Sequence, residues 1–162
     1  MAKKTSKKSL DDNWVETLCV WADQHEISKK TLPRNQNKLL KIKRLDLMLV
    51  YFGIDKKIQN QYSMDKLLSS SEKKRASDLN FQLIKGKFPE EIGKLTQLDI
   101  LCISYNFIER LPISIVNLKN LKRLCLCHNK NLVLSFEQKL WIWELEKKGT
   151  IIECDEHLNL FL

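Results

Sequence analysis

The chain has 162 residues, 43% hydrophobic and 30% charged, with only 4 glycines and 3 prolines. That composition suits one soluble globular domain and excludes collagen-like or linker-dominated chains. The formal charge is +8, yet Lys3, Lys4, Lys7 and Lys8 place half of it on residues 1–10, which read as a disordered basic tail.

Such a tail attracts anions weakly, so no specific nucleic-acid partner is expected. No apolar h-region follows the lysines, and no apolar run approaches the length of a membrane span. The 5 cysteines are odd in number and show no disulfide spacing, which points to a reducing, cytoplasmic setting. Export by a signal-independent route leaves no mark in a sequence.

In chain order, the first expected element is a capping helix within residues 11–31. In DDNWVETLCVWADQHEI the residues Trp14, Leu18, Trp21 and Ala22 recur at helical spacing, behind Asp11 and Asp12 as candidate N-caps. Residues 51–76 break any regular pattern and read as an insertion, with a short helix around Met64 to Leu68.

The sequence then repeats itself. Laying FPEEIGKLTQLDILCISYNFIER over LPISIVNLKNLKRLCLCHNKNLV pairs Phe88 with Leu111, Pro89 with Pro112, Ile92 with Ile115 and Leu95 with Leu118. The same offset of 23 residues pairs Leu98 with Leu121, Leu101 with Leu124, Ile103 with Leu126 and Asn106 with Asn129. Leu101 and Ile103 lie two apart, so both point inward from one short strand. One such turn cannot bury its apolar face alone, so neighbouring turns must stack.

Residues 135–162 supply the other end. SFEQKLWIWELEKKG opens on a capping-box pair, Ser135 and Gln138, and closes on Lys147, Lys148 and Gly149. Thr150 to Cys154 then reads as a last strand against the end of the sheet. The 4 tryptophans divide between the two terminal helices and read as packing residues.

The repeat resembles the leucine-rich repeat superfamily in its 23-residue LPxxIxxLxxLxxLxLxxN form, of the kind seen in small bacterial-like members. The resemblance implies an α/β fold: a solenoid of about four turns over residues 32–134, with a short parallel β-sheet on its concave face and helical caps at both ends. It implies that Asn106 and Asn129 satisfy backbone groups in the bend after each strand. Two looser turns are expected as well. LPRNQNKLLKIKRLDLMLV supplies Leu32, Pro33, Leu39, Ile42, Leu45 and Leu47, with Val50 in the asparagine place. LNFQLIKGKFP supplies Leu79, Ile84 and Phe88, with Gln82 in that place. The function implied is non-enzymatic: a monomer binding another protein through the concave face.

No P-loop, dinucleotide fingerprint, HExxH pair or nucleophile elbow occurs, and no cofactor is expected. ECDEH, Glu153 to His157, places a cysteine among acids and a histidine, but Cys154 reads as a small inward residue of the last strand. In RLCLCHN the inward leucines turn Cys125 and Cys127 to the concave side, with Cys102 beside Cys125 and His128 at the edge. A partly exposed thiol patch is therefore expected. Cys102, Cys125, Cys127 and His128 form an alternative thiol-based metal or redox site, although side chains parallel on a sheet converge poorly on a tetrahedral centre.

Three outward columns complete the face. One runs Arg44, Ala76, Ile100 and Arg123, a second Asp46, Asp78, Cys102 and Cys125, and a third Leu49, Phe81, Tyr105 and His128. Aromatics beside arginines are what protein-contact hot spots are made of. The candidate partner-binding residues are Arg44, Asp46, Asp78, Phe81, Cys102, Tyr105, Arg123, Cys125, Cys127 and His128.

Overall fold

The computed structural model describes residues 13–48, 84–158 and 160. The basic tail at 1–10, the insertion at 51–76, and the site candidates Asp78 and Phe81 lie outside the described residues.

The fold is mixed α/β, built on a parallel sheet. Strands β1 (Arg44–Asp46), β3 (Ile100–Cys102), β5 (Arg123–Cys125) and β6 (Ile151–Glu153) pair in that order, all parallel. A second pair, β2 (Lys85–Lys87) with β4 (Phe107–Arg110), is also parallel, and its register shifts at Gly86, which takes φ +74°. Leu45, Leu101 and Leu124 sit at the centre of their strands with no exposed surface, and Leu47, Ile103 and Leu126 follow two residues on, also fully buried. This two-residue alternation drives one face of each strand into a shared core.

Two 3-10 helices, Glu90–Lys94 and Ile113–Asn117, pack against each other. Each starts after a proline in extended backbone, Pro89 or Pro112, where the fixed φ and missing N–H cost nothing. Ile92 and Ile115 point from them into the core, fully buried. Helix α1 (Asn13–Gln24) packs on the first 3-10 helix and α3 (Phe136–Lys147) on the second. A short α2 (Gln36–Leu39) begins at Asn35, whose side chain accepts the Lys38 N–H.

Side chains lock these ends. Trp21 meets Phe88 edge to face at 5.2 Å, and Arg34 binds Asp23 at 2.7 Å while donating to the Ile27 carbonyl at 2.7 Å. The capping box of α3 forms as its sequence requires: Ser135 Oγ accepts the Gln138 N–H, and Gln138 Oε1 accepts the Ser135 N–H. Gln138 is itself buried and donates from Nε2 to the carbonyls of Leu111 and Pro112. Trp141 Nε1 donates to the Leu118 carbonyl at 3.3 Å. The four tryptophans do not share one role, however. Trp21 and Trp141 are buried and Trp14 packs on the core, but Trp143 is 51% exposed, with Lys147 Nζ 5.1 Å from its ring centre.

The two asparagines work as a ladder. Asn106 donates to the carbonyls of Ile103 and Ser104, and its Oδ1 accepts the Ile84 N–H. Asn129 donates to Leu126 and Cys127, reaches the Ile103 carbonyl of the preceding strand segment, and accepts the Ile108 N–H. Backbone groups that short strands leave over are thereby met by buried amides.

One expectation fails. The outward columns were to pass from Arg44 and Asp46 through Ala76 and Asp78 before reaching β3. Instead β1 pairs directly with β3, Arg44 opposite Ile100 and Asp46 opposite Cys102. No strand fits between them, and the segment around Ile84 and Phe88 enters the second sheet through β2. The physical reason is that Leu79, Ile84 and Phe88 carry the spacing of the side opposite the strand, without a paired inward dyad ahead of them.

Candidate functional site

The face of the four-stranded sheet turned away from the core carries two columns in strict register. The first is Arg44, Ile100, Arg123 and Ile151, and the second is Asp46, Cys102, Cys125 and Glu153. Period-two alternation places both columns there, because each strand centres on an inward residue.

The first column is the accessible one. Arg44 and Arg123 are exposed, Ile151 is 57% exposed, and Ile100 is half-buried between the two arginines. Neither guanidinium stands free of the surface. Arg44 reaches along its own strand to Asp46 Oδ2 at 2.5 Å, and Arg123 reaches across to Glu153 Oε1 through Nε at 3.0 Å and Nη2 at 2.5 Å.

The second column is closed. Cys102 and Cys125 are buried, and so is Asp46, which corrects the expected partly exposed thiol patch. Short side chains on strands about 4.8 Å apart shield one another, and both arginines fold toward this column rather than away from it. Cys127 is half-buried, and Ser104, its counterpart one turn earlier, is buried.

Electrostatics differ sharply among the thiols. The Cys125 S–H lies within hydrogen-bonding reach of the Cys102 sulfur and of the Glu153 carboxylate. Its hydrogen bond holds the Cys102 thiol below the ordinary range, against the effect of burial. The same bond, with burial, raises Cys125 far above it, and the bond from Cys125 lowers Glu153. Burial, then the nearby Asp155 carboxylate, pushes Cys127 up to about 11. Asp46 keeps one buried oxygen, Oδ1, without a hydrogen-bond partner.

At the end of this face Tyr105 and His128 stack, ring centres 4.1 Å apart and planes 25° from parallel. Both residues are half-buried and both take left-handed backbone, φ 60° and 59°. The 23-residue offset thus repeats a backbone kink as well as a side chain. The kink is held by Asp155 Oδ2, which accepts the His128 N–H at 2.6 Å.

The structure therefore brings Arg44, Asp46, Cys102, Arg123 and Cys125 onto one continuous face, with Tyr105, Cys127 and His128 following the strands at its end. Sequence reasoning missed Ile151 and Glu153, which continue the two columns. They lie 28 residues after Arg123 and Cys125 rather than 23, because the 12-residue α3 replaces a 5-residue 3-10 helix. Their alternation within TIIEC was the available signal. Among the described residues no group of three or more His, Cys, Asp or Glu side chains is arranged to hold a metal ion, so Cys102, Cys125, Cys127 and His128 do not converge. No helix among the described residues is long and apolar enough to cross a membrane.

No family model matches the chain, and no solved structure matches it. A stretch of 53 residues is 43% identical to Phytosulfokine receptor 1 of Arabidopsis thaliana. That stretch is 32% of this chain and covers 5% of the receptor.

Proposed function

We propose that this chain is a short leucine-rich-repeat solenoid that binds another protein through the concave face of its sheet and carries out no catalysis. The observation that carries the reading is the accessible column Arg44, Ile100, Arg123 and Ile151, which alternates guanidinium and branched apolar side chains on a rigid parallel sheet. Stacked Tyr105 and His128 extend it. Large side chains already fixed by neighbours lose little freedom on binding, which favours a docking surface. The 23-residue register of strands, 3-10 helices and asparagines supports the repeat assignment, as does the stretch similar to a plant receptor. On this reading α1 and α3 are the caps that keep the ends of the stack from water.

The test is affinity capture from the native cell with three variants side by side. Arg123→Ala and Tyr105→Ala alter the proposed face, and Ile113→Ala alters a 74% exposed residue on the 3-10 helix side. One specific companion should be lost with the first two and kept with the third. Equal retention by all three, or loss with Ile113→Ala alone, refutes concave-face binding.

A further inference from the structure

Cys102 and Cys125 are register partners on adjacent parallel strands, both pointing away from the core and both shielded from bulk water. Neighbouring strands run about 4.8 Å apart, inside the roughly 4.4–6.8 Å window of Cα separations that a disulfide spans. The Cys125 thiol already points at the Cys102 sulfur, since the two are hydrogen-bonded. Of the other cysteines, Cys19 lies on α1 and Cys154 packs against the core. We propose that Cys102 and Cys125 are a reversible oxidation site, closing a cross-strand disulfide when a peroxide reaches the sheet.

The chemistry assigns unequal roles. Cys102, whose negative charge the Cys125 hydrogen bond stabilises, is the sulfur that loses its proton first and attacks. Its thiolate attacks one peroxide oxygen, the O–O bond breaks, and hydroxide leaves and takes up the proton that Cys102 released. Cys102 is then a sulfenic acid. Cys125 attacks that sulfur, the S–O bond breaks, and the departing hydroxide leaves as water with the Cys125 proton. Two thiols and hydrogen peroxide give one disulfide and two waters. The peroxide is reduced by the two electrons that the sulfurs lose. Cys125 alone would be a poor first nucleophile, because burial and the carboxylate of Glu153 hold its proton.

The bond would tie β3 to β5 in the register they already hold, so oxidation should leave the fold intact and raise its melting temperature. This inference does not depend on the chain binding a partner.

The experiment treats the full chain with hydrogen peroxide and maps peptides without reduction. The expected result is a single intramolecular cross-link between Cys102 and Cys125, loss of two hydrogens in mass, and three of the five thiols still open to alkylation after unfolding. A dithiol reductant should restore all five. In Cys125→Ser the cross-link should vanish and a dimedone adduct should appear on Cys102. In Cys102→Ser neither should form at these positions. Five intact thiols after peroxide, or a cross-link joining another pair or two chains, overturns the proposal. The unmodified chain alone decides this, whatever the serine variants do to folding.

Discussion

The Nδ2 group of Asn129 donates at 3.0 Å to the carbonyl of Ile103, a residue 26 positions earlier and one strand away. It bonds Leu126 of its own turn at the same distance, and its Oδ1 accepts the Ile108 N–H at 3.1 Å. One buried amide therefore joins two successive units through backbone groups that no strand pairing satisfies.

Replacing it should be costly. Asn129→Ala leaves the Ile108 N–H and two carbonyls without partners in a site with no solvent exposure. Orphaned buried polar groups cost about 1–3 kcal/mol each, partly relieved by water or relaxation, so a loss of about 3 kcal/mol is expected. Urea denaturation monitored by tryptophan fluorescence measures it. A loss under about 1 kcal/mol contradicts the ladder as a source of stability.

Gly93 tests the packing between the two 3-10 helices. A Cβ built there would lie 2.4 Å from the Ser114 carbonyl oxygen and 2.5 Å from its Cβ. Gly93→Ala should therefore destabilise by about 1–3 kcal/mol through overpacking. Adding Ser114→Gly removes the side-chain clash but leaves the backbone oxygen, so the double variant should recover only part of the loss. Full recovery in thermal melts would show that the backbone can move apart here, contrary to the close approach described.

The inward dyads Leu101 with Ile103 and Leu124 with Leu126 were readable from the chain, because two residues of spacing fix a strand face and 23 residues fix its neighbour. The capping box at Ser135 was readable for the same reason: its geometry is local. What could not be read was strand order around β1, since Arg44 pairs with Ile100 across 56 positions and nothing local encodes that distance. Burial of Cys102 and Cys125 was likewise hidden. It depends on where Arg44 and Arg123 swing, and those directions are set by carboxylates at Asp46 and Glu153, one of which lies outside the 23-residue pattern. Face assignment follows from alternation, but accessibility on that face follows from the neighbours.

Two residues at the start of α3 separate local from long-range capping. Ser135→Ala removes one acceptor for the Gln138 N–H and should cost about 1 kcal/mol. Gln138→Ala removes the reciprocal cap and also the bonds to the Leu111 and Pro112 carbonyls. It should cost more, about 2–3 kcal/mol, because buried acceptors lose their donor. Chemical denaturation of both variants ranks them. An equal loss would mean that Gln138 does no more than close the helix.

Cys127 offers a prediction in pH. Its proton is held more tightly in the folded chain, up to about 11 against an ordinary thiol value of 9.0, because burial and the Asp155 carboxylate disfavour the thiolate. Native-state alkylation at Cys127 should thus be slow at pH 8 and keep rising until about pH 11, where an ordinary thiol would level off near 9. The linkage has a definite sign. A folded value above the unfolded one means that the native state binds more proton, so this stabilisation is complete below pH 9 and is lost as pH climbs from 9 toward 11. Peptide mass spectrometry of timed iodoacetamide labelling across that range checks the first part, and melts across it check the second. A labelling midpoint at 9 would mean that Cys127 is open to water.

Arg123 separates a structural from a docking role. Its guanidinium bonds Glu153 through two nitrogens, yet the arginine side chain is 49% exposed and the glutamate 40%. Ion pairs this open to solvent contribute little to folding, because water and salt screen them and the side chains lose freedom in holding one geometry. Arg123→Ala should leave the melting temperature within experimental error at physiological ionic strength. Glu153→Gln should do the same at neutral pH while weakening the hold on Arg123, leaving its guanidinium freer to swing from the Cys125 column. If the first column is a contact surface, Arg123→Ala weakens partner binding although the fold is unchanged. Glu153→Gln then weakens it less, because the guanidinium remains. A large drop in melting temperature for Arg123→Ala would instead make the pair part of the sheet's own stability, and the retention of this residue on the face would need no partner to explain it.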